Sequence, residues 1–447
     1  MALKITVIGT GYLGATHAAA MAELGFEVLG LDVVPEKIEM LQRGEVPMYE
    51  PGLEELLRKH VAGIEGSSGR LRFTMDWAEV AEFGDVHFMC TNTPQKHGEY
   101  ACDMSYVDRA FELLAPHLTR PALVVGKSTV PVGSADRLAA YLAAHAPVGV
   151  DAELAWNPEF LREGFAVQDT LHPDRIVVGV RSERAERLLR EVYATPVRAG
   201  SPFVVTDFPT AELVKTAANS FLATKISFIN AMAEVCEAAD GDVVKLAEAI
   251  GHDDRIGKKF LRAGIGFGGG CLPKDIRAFM ARAGELGADQ ALTFLREIDS
   301  INMRRRGQMV EMTREALGGG SFLGKRVAVL GATFKPDSDD VRDSPALNVA
   351  GQIHLQGGQV TVYDPKGMTN ALRLFPTLGY ADTAVEAVRG ADVVLHLTEW
   401  REFRELDPAA LGEAVRARVV LDGRNALDPA LWRKAGWTFR AMGRPTA

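Results

Sequence analysis

Cys271 lies in the run GFGGGCLPKD (266–275), with four glycines just before it and Lys274 and Asp275 shortly after. Glycines weaken helices and strands alike, so such a cluster marks backbone that turns tightly or approaches a ligand closely. The thiol is then either a reactive group facing that ligand or a buried inert one. Lys215 and Asn219 form a second group, spaced i, i+4 in the helical run DFPTAELVKTAANSFLATKISFINAMAEVCEAAD, which has a proline near its start. The same stripe continues through Leu222, Ile226, Ile229 and Ala233, so it is expected to be buried, and a lysine and an asparagine entering it need partners. The alternative is that Lys215 snorkels to water and Asn219 satisfies a loop. A third group, Thr93, Ser128, Thr129, Asn157, Glu159 and Glu163, follows or ends the runs DVHFMCTNTP (85–94), ALVVGKSTVPVG (122–133) and AELAWNPEFLREG (152–164). In a doubly wound sheet ligands lie beyond the carboxyl ends of the strands, where these residues fall, although capping or turn duty is the plainer reading of any one.

The elements that would position these groups start at the N-terminus. KITVIGTGYLG is a continuous apolar strand ending in Gly9, Gly11 and Gly14, the G-x-G-x-x-G spacing in its expected context. Gly9 allows the tight turn, Gly11 the approach of backbone to a pyrophosphate, and Gly14 the packing of helix on strand, with the helix N-terminus facing the phosphates. The next strand, FEVLGLD, ends at Asp32, which would accept hydrogen bonds from ribose hydroxyls and repel a 2′-phosphate. This favours NAD over NADP. Strand-like runs continue to DRIVVGV (174–180), giving a doubly wound domain to about residue 200. The long helix follows, then a helical stretch near 290–317. GKRVAVLGATFKP, QVTVYDP ending at Asp364, ADVVLHLTEW and RVVLDGRN then form a second nucleotide-binding-like half that lacks the full glycine fingerprint. The fold expected is α/β, two Rossmann-like doubly wound domains joined by a long central helix. The expected domains are 1–205, 206–310 and 311–447.

Composition narrows the partners. With 447 residues, 47% hydrophobic and 24% charged, the chain reads as ordinary globular protein. A net charge of −9 argues against nucleic acid as a partner, and the triplet RRR at 304–306 reads as a solvated helix face. No apolar run approaches the roughly 20 residues needed to span a bilayer, and the first one is a strand entering a glycine turn, unlike a signal peptide. A cytoplasmic protein that does not engage membranes is expected. Cys90, Cys102, Cys236 and Cys271 are too scattered for a disulfide framework and show no metal spacing, so no metal is expected.

Together these motifs resemble the UDP-glucose/GDP-mannose dehydrogenases over essentially the whole chain. The resemblance rests on GTGYLG, NTP (92–94), KSTVPVG (127–133), NPEFLREG (157–164), HPDRIVVG (172–179), ELVKTAANSFLATKISFINAMAE (212–234), GFGGGCLPKD, FKPDSDDVRDSPAL (334–347) and DGRN (422–425). It implies oxidation of the C6 alcohol of a nucleotide sugar to a carboxylate with two NAD, through a covalent adduct on Cys271. By the same resemblance Lys215 and Asn219 stabilise oxyanions and Asp275 organises a water or proton with the lysine. Glu159 acts as general base in thioester hydrolysis, and Thr129 and Glu163 orient water near the nicotinamide. Tyr12 and Leu13 within the glycine motif, Lys37, Thr93, Ser128 and Arg342 join the cofactor contacts, as does Cys271. Substrate contacts carried over are Glu159, Phe160, Leu161, Lys215, Asn219, Gly264, Phe267, Gly268, Phe334, Lys335 and Arg424. Arg255 matches a residue reaching the sugar nucleotide of a neighbouring subunit, which implies a homodimer or larger homo-oligomer packed through the long helix. UDP-glucose is the leading substrate on HPDRIVVG, while Gly270-Cys271-Leu272 replaces the Ser-Cys-Phe of many UDP-glucose members, and its leucine also occurs in GDP-mannose members. Arg262 stands where some relatives have lysine. GDP-mannose and UDP-N-acetylhexosamines are the alternatives, and an inactive nucleotide-sugar sensor is the alternative of a different class.

Overall fold

A computed structural model describes residues 3–445. The chain divides into two compact units, one running to Ala218 and including Arg277–Leu286, the other comprising Asn219–Ile276 and the chain from Gly287 onward. The first unit is built on β1 (Lys4–Ile8), β2 (Glu27–Leu31), β3 (Leu71–Thr74), β4 (Val86–Met89), β5 (Ala122–Gly126), β6 (Ala152–Trp156), β7 (Ile176–Gly179) and β8 (Phe203–Thr206). Their order is β3-β2-β1-β4-β5-β6-β7-β8. The first six are parallel, and β7 meets β6 antiparallel at Trp156 and Gly179 before pairing in parallel with β8. The strand order reverses between β1 and β4, and the crevice above that switch point is where such sheets take ligands. Strands buried on both faces need apolar residues at every position. Accordingly, Ile5 and Val7 enter one hydrophobic cluster and Ile8 the other. Each such aliphatic side chain contributes about 1.5–3 kcal/mol relative to exposure.

The second unit repeats the plan with β9 (Arg326–Leu330), β10 (Gln359–Tyr363), β11 (Gly379–Tyr380), β12 (Val393–His396), β13 (Val419–Asp422) and β14 (Thr438–Ala441). All are parallel in the order β11-β10-β9-β12-β13-β14, again with apolar clusters on both faces. The two sheets share a local device. Asp32, just after β2, accepts from Thr10 N (2.8 Å) and Thr10 Oγ1 (3.1 Å), while Asp364, just after β10, accepts from Thr333 N and Thr333 Oγ1 (both 3.0 Å). In each half a carboxylate ties the end of the second strand to the turn after the first. The helix after β9 begins only at Pro345, because residues 331–344 form a long loop before Ser344 caps it through Leu347 N (3.3 Å).

The expected long helix is Phe208–Ala239, followed by Leu272–Glu285 and Thr293–Ala316. Two expectations about these helices are corrected. The stripe that holds Lys215 and Asn219 leaves Leu222 and Ile226 only half-buried and continues inward through Ala223, Ser227, Asn230 and Ala233, with Ile229 also buried. A straight helix at 3.6 residues per turn drifts about 20° per heptad, which rotates a strict 4,3,4,3 stripe off the buried face. The Arg304–Arg306 triplet is not a solvated face: Arg305 and Arg306 are 0% and 1% exposed. Arg305 pairs with Glu237 (3.3 Å), and Arg306 pairs with Asp343 (2.7 Å) and donates to Phe267 O (3.0 Å). Consecutive residues turn by about 100°, so the triplet fans over about 200° of the helix, wider than one solvated face, and here Arg305 and Arg306 fall on the covered side. Among the described residues no helix is long and apolar enough to cross a membrane.

Candidate active site

In the first unit the glycine turn fits the dinucleotide that the sequence calls for. Gly9 has φ +90°, and a Cβ on Gly14 would meet Gly9 O at 1.8 Å, so the helix can approach the turn only with glycine there. At Gly11 a Cβ would find nothing nearer than Asn92 Oδ1 at 3.8 Å. Gly11 is the N-cap of the helix Tyr12–Glu23 and offers no side-chain cap, so the first N–H groups are left for an anion. Asp32 closes the site with its carboxylate, which also accepts from Val33 N (2.9 Å) and Lys37 Nζ (2.8 Å). Burial acts to raise the Asp32 pKa, but the Lys37 ammonium and the Thr10 donors hold it below the ordinary carboxylate value. Lys37 is thus paired with Asp32 at the end of β2. Thr93 is buried, Ser128 Oγ donates to Thr91 O (2.6 Å) and Thr129 is half-buried.

The turn after β6 carries the acid–base candidates. Lys215 Nζ is 2.9 Å from Glu159 Oε1, with side-chain exposures of 5% and 14%. Glu159 Oε2 accepts from Leu161 N (2.6 Å). Burial works to raise the Glu159 pKa, but the Lys215 ammonium overcomes it and leaves the carboxyl below its ordinary range. The lysine that needed a partner thus finds a carboxylate. Phe160 lies beneath Arg175 (3.9 Å from guanidinium carbon to ring centre) with Lys215 Nζ at 5.7 Å. Glu163 stands close enough to act on the Tyr12 phenol, whose hydroxyl donates to Glu50. Glu50, in the run YEPGL (49–53), accepts from Gly164 N and Ala166 N (both 2.7 Å) and so pins the loop that follows Glu163.

The second unit holds the cysteine. Cys271 is exposed, whereas Cys90 and Cys236 are buried and Cys102 is half-buried. It begins the helix Leu272–Glu285, with Asp275 N donating to Cys271 O (2.9 Å). One turn on, Asp275 is buried and accepts from Asn219 Nδ2 (2.6 Å) and Lys274 Nζ (2.6 Å). The glycine loop ahead of Cys271 is gripped along its length. Asn302 forms a two-point bridge to Phe267, accepting from its N (2.7 Å) and donating to its O (3.0 Å). A Cβ on Gly266, at φ +92°, would fall 2.2 Å from Asn302 Oδ1. Gly264 N donates to Asn230 Oδ1 (2.9 Å), and Gly268 backs onto Asp343 O. Arg424 turns its guanidinium to Leu397 O (2.8 Å), Gly266 O (2.9 Å) and Phe334 O (3.0 Å), tying three loops together. Arg342 is held by Asp340 (2.8 Å) beside Gly270, and Lys335 Nζ lies 5.6 Å from the Phe334 ring centre. Arg255 is exposed and pairs with Asp253 (2.7 Å). Among the described residues no group of three or more His, Cys, Asp or Glu side chains could hold a metal.

Sequence reasoning missed Glu50, Lys127, Asn302 and Arg306. Lys127 had a visible signal, a lysine at the end of an unbroken apolar strand. For Asn302 and Arg306 only the helix and its buried face, unknown before folding, could show their use.

The chain matches three family profiles in order. They are the UDP-glucose/GDP-mannose dehydrogenase family NAD binding domain over residues 3–197, central domain over 209–304 and UDP binding domain over 328–429. It is 38% identical over 445 residues to the UDP-glucose 6-dehydrogenase YwqF of Bacillus subtilis (strain 168), spanning 99% of this chain and 98% of the relative. A UDP-glucose 6-dehydrogenase of Rhizobium meliloti (strain 1021) is 40% identical over 445 residues, spanning 99% and 100%. Among solved structures, a UDP-glucose dehydrogenase from Pyrobaculum islandicum superposes with a TM-score of 0.87 at 37% identity over 95% of each chain. A UDP-D-ManNAc dehydrogenase from Pyrococcus horikoshii gives 0.86 at 27% identity over 100% of each.

Proposed function

Since the chain belongs to the UDP-glucose/GDP-mannose dehydrogenase family and is an NAD-dependent oxidoreductase, we propose that it oxidises C6 of UDP-glucose from alcohol to carboxylate, with Cys271 as covalent nucleophile. The observation that carries this reading is the one exposed thiol in the described chain. It stands at a helix N-terminus, where negative charge on sulfur is favoured, with the Asn219–Asp275 pair one turn away. NAD supplies the hydride acceptor, one molecule for each oxidation. In the first step the C6 hydroxyl loses its proton and C6 loses a hydride, giving the aldehyde. Cys271 Sγ then adds to C6, and the carbonyl oxygen takes a proton to give a thiohemiacetal. Loss of that proton and of a second hydride from C6 gives the thioester. Water activated by Glu159 cleaves the C6–S bond, releasing the carboxylate and the free thiol. Lys215 and Asn219 stabilise the oxyanion at each stage, and Asp275, held by Asn219, takes part in the proton transfers. Thr129 and Glu163 orient water. Tyr12, Leu13, Lys37, Thr93, Ser128 and Arg342 are assigned to the cofactor, and Phe160, Leu161, the Gly264–Gly268 loop, Phe334, Lys335 and Arg424 to the nucleotide sugar. The division into parts 1–205, 206–310 and 311–447 belongs to the same proposal.

UDP-glucose is preferred because the relatives that the chain matches at 38–40% identity bear its name, whereas the UDP-D-ManNAc dehydrogenase is 27% identical. The test is the number of NADH formed per limiting UDP-glucose, GDP-mannose or UDP-N-acetylhexosamine. Two per UDP-glucose is expected, and none with any sugar would restore the sensor reading. Cys271→Ser is expected to retain NAD binding and stall before the acid; UDP-glucuronate formed at the wild-type rate would refute the covalent step. A homodimer through the long helix also belongs to the proposal, supported by Phe221, Phe228 and Val235, which are 67%, 47% and 57% exposed at seven-residue spacing. Light scattering should show Phe228→Glu as a monomer.

A further inference from the structure

Behind Glu159 the first unit buries a second ammonium that the reaction above does not use. Lys127, just after β5, is 6% exposed. Its Nζ donates to Asn157 Oδ1 (3.0 Å) and lies 3.5 Å from Asn157 O and 3.3 Å from the Tyr193 hydroxyl, which itself donates to Asn157 Oδ1 (2.5 Å). None of these partners is a carboxylate. A buried ammonium is costly without compensating negative charge, and a strand end of this kind would be served as well by an aliphatic side chain. Three carboxylates, Glu159, Asp169 and Asp174, line the same cavity of about 50 Å³ as Lys127, and of these it is Glu159 whose charge acts on the ammonium. One buried carboxylate thus feels two ammonium groups, Lys215 in contact at 2.9 Å and Lys127 across the cavity lining.

The other groups acting on Lys127 come from every element packed around it. Cys90, just after β4, has its thiol pushed up to about 12 by burial, so it is neutral. His17, on the helix Tyr12–Glu23, is held neutral by burial and by Lys127 itself, and burial also raises the Tyr193 phenol. Lys215, from the long helix, adds a like charge. Burial first, and Lys215 after it, pulls Lys127 down to about 8, against the opposing pull of Glu159. At neutral pH Lys127 is therefore mostly charged, and the cluster Lys127–Glu159–Lys215 carries one positive charge in excess.

We propose that Lys127 is a positioning residue for Glu159: through Asn157 it anchors the turn that presents the carboxylate, and its charge adds to that of Lys215 in favouring the anion there. The excess positive charge would then be available to an oxyanion formed in the reaction. The inference rests on the role given to Glu159 above, but its test does not need turnover. Difference infrared spectra between wild type and Glu159→Gln isolate the Glu159 carboxyl band, and its pH titration is repeated in the Lys127→Met background. Removing one of two flanking cations is expected to raise the Glu159 midpoint by about one pH unit. An unchanged midpoint overturns the proposal, whatever the enzyme does with UDP-glucose. Lys127→Gln, which keeps a donor for Asn157 and loses the charge, provides the same measurement if the methionine variant does not fold. With an active substrate, the acidic limb of the pH–rate profile should move up with the midpoint, about tenfold in rate per unit. Tyr193→Phe, which removes a hydrogen-bond partner and keeps the ammonium, should leave the limb where it is; a limb that moves equally in Tyr193→Phe would mark the role as structural only.

Discussion

Replacing Asn302 by alanine tests how the cysteine loop is held. Asn302 is 0% exposed and bridges both backbone groups of Phe267, at 2.7 Å and 3.0 Å. The two halves of the bridge differ in consequence. Phe267 O also accepts from Arg306 Nη2 at 3.0 Å, so it keeps a partner in the variant, whereas Phe267 N loses the acceptor that Asn302 provided. A buried N–H left without an acceptor costs about 1–3 kcal/mol. The small void left by the amide adds about 1 kcal/mol. The expected loss is therefore about 2–4 kcal/mol, and at about 2–4 °C per kcal/mol for a unit of this size the melting temperature should fall by about 4–16 °C. Urea titration measures the free energy. Alkylation of Cys271 by iodoacetamide in the folded protein reports whether the loop has lost its register, and its rate should change in Asn302→Ala. Asn302→Asp retains an acceptor for Phe267 N and should recover part of the stability. A loss below 0.5 kcal/mol with an unchanged alkylation rate would refute the reasoning that side-chain bridges from the helix Thr293–Ala316 hold this loop.

Lys215→Met removes the cation next to Glu159 and should cost about 3–5 kcal/mol at neutral pH, most of it recovered in Lys215→Met/Glu159→Gln, as a urea double-mutant cycle would show. The Glu159 pKa is lowered on folding from its ordinary 4.5. The stability that the pair contributes is therefore complete above about pH 4.5 and is lost as pH falls through the lower folded value, so the gap between wild type and Lys215→Met should close in acid. Asp32→Ala should weaken NAD binding at least about tenfold in a calorimetric titration, narrow the preference over NADP, and cost about 1–3 kcal/mol because Thr10 N and Val33 N lose their acceptor. NAD affinity within about twofold of wild type would contradict the place given to Asp32.

The first glycine turn was legible in the sequence because its requirements are local. Only glycine satisfies the positive φ at Gly9 and the contact at Gly14, and the continuous apolar strands report burial on both sheet faces. The edge strands β3, β8, β11 and β14 were not legible, since runs of two to four residues are too short to show a period and owe their conformation to a neighbour. The pairing of Lys215 with Glu159 lay between the two cases. The need for a partner could be read from the buried stripe, but the partner is 56 residues away, and only folding could choose among the acids present. For Asn302, Arg305 and Arg306 nothing local sufficed. Polar residues on a helix look the same whether they face water or a loop backbone, and the outcome depends on which face the tertiary packing covers. The sequence by itself thus determined the first nucleotide turn, the central strands of the two sheets and the glycine loop that leads to Cys271. The tertiary structure decided which polar side chains hold those parts in place, because hydrogen bonds between distant segments leave no periodic trace in the chain.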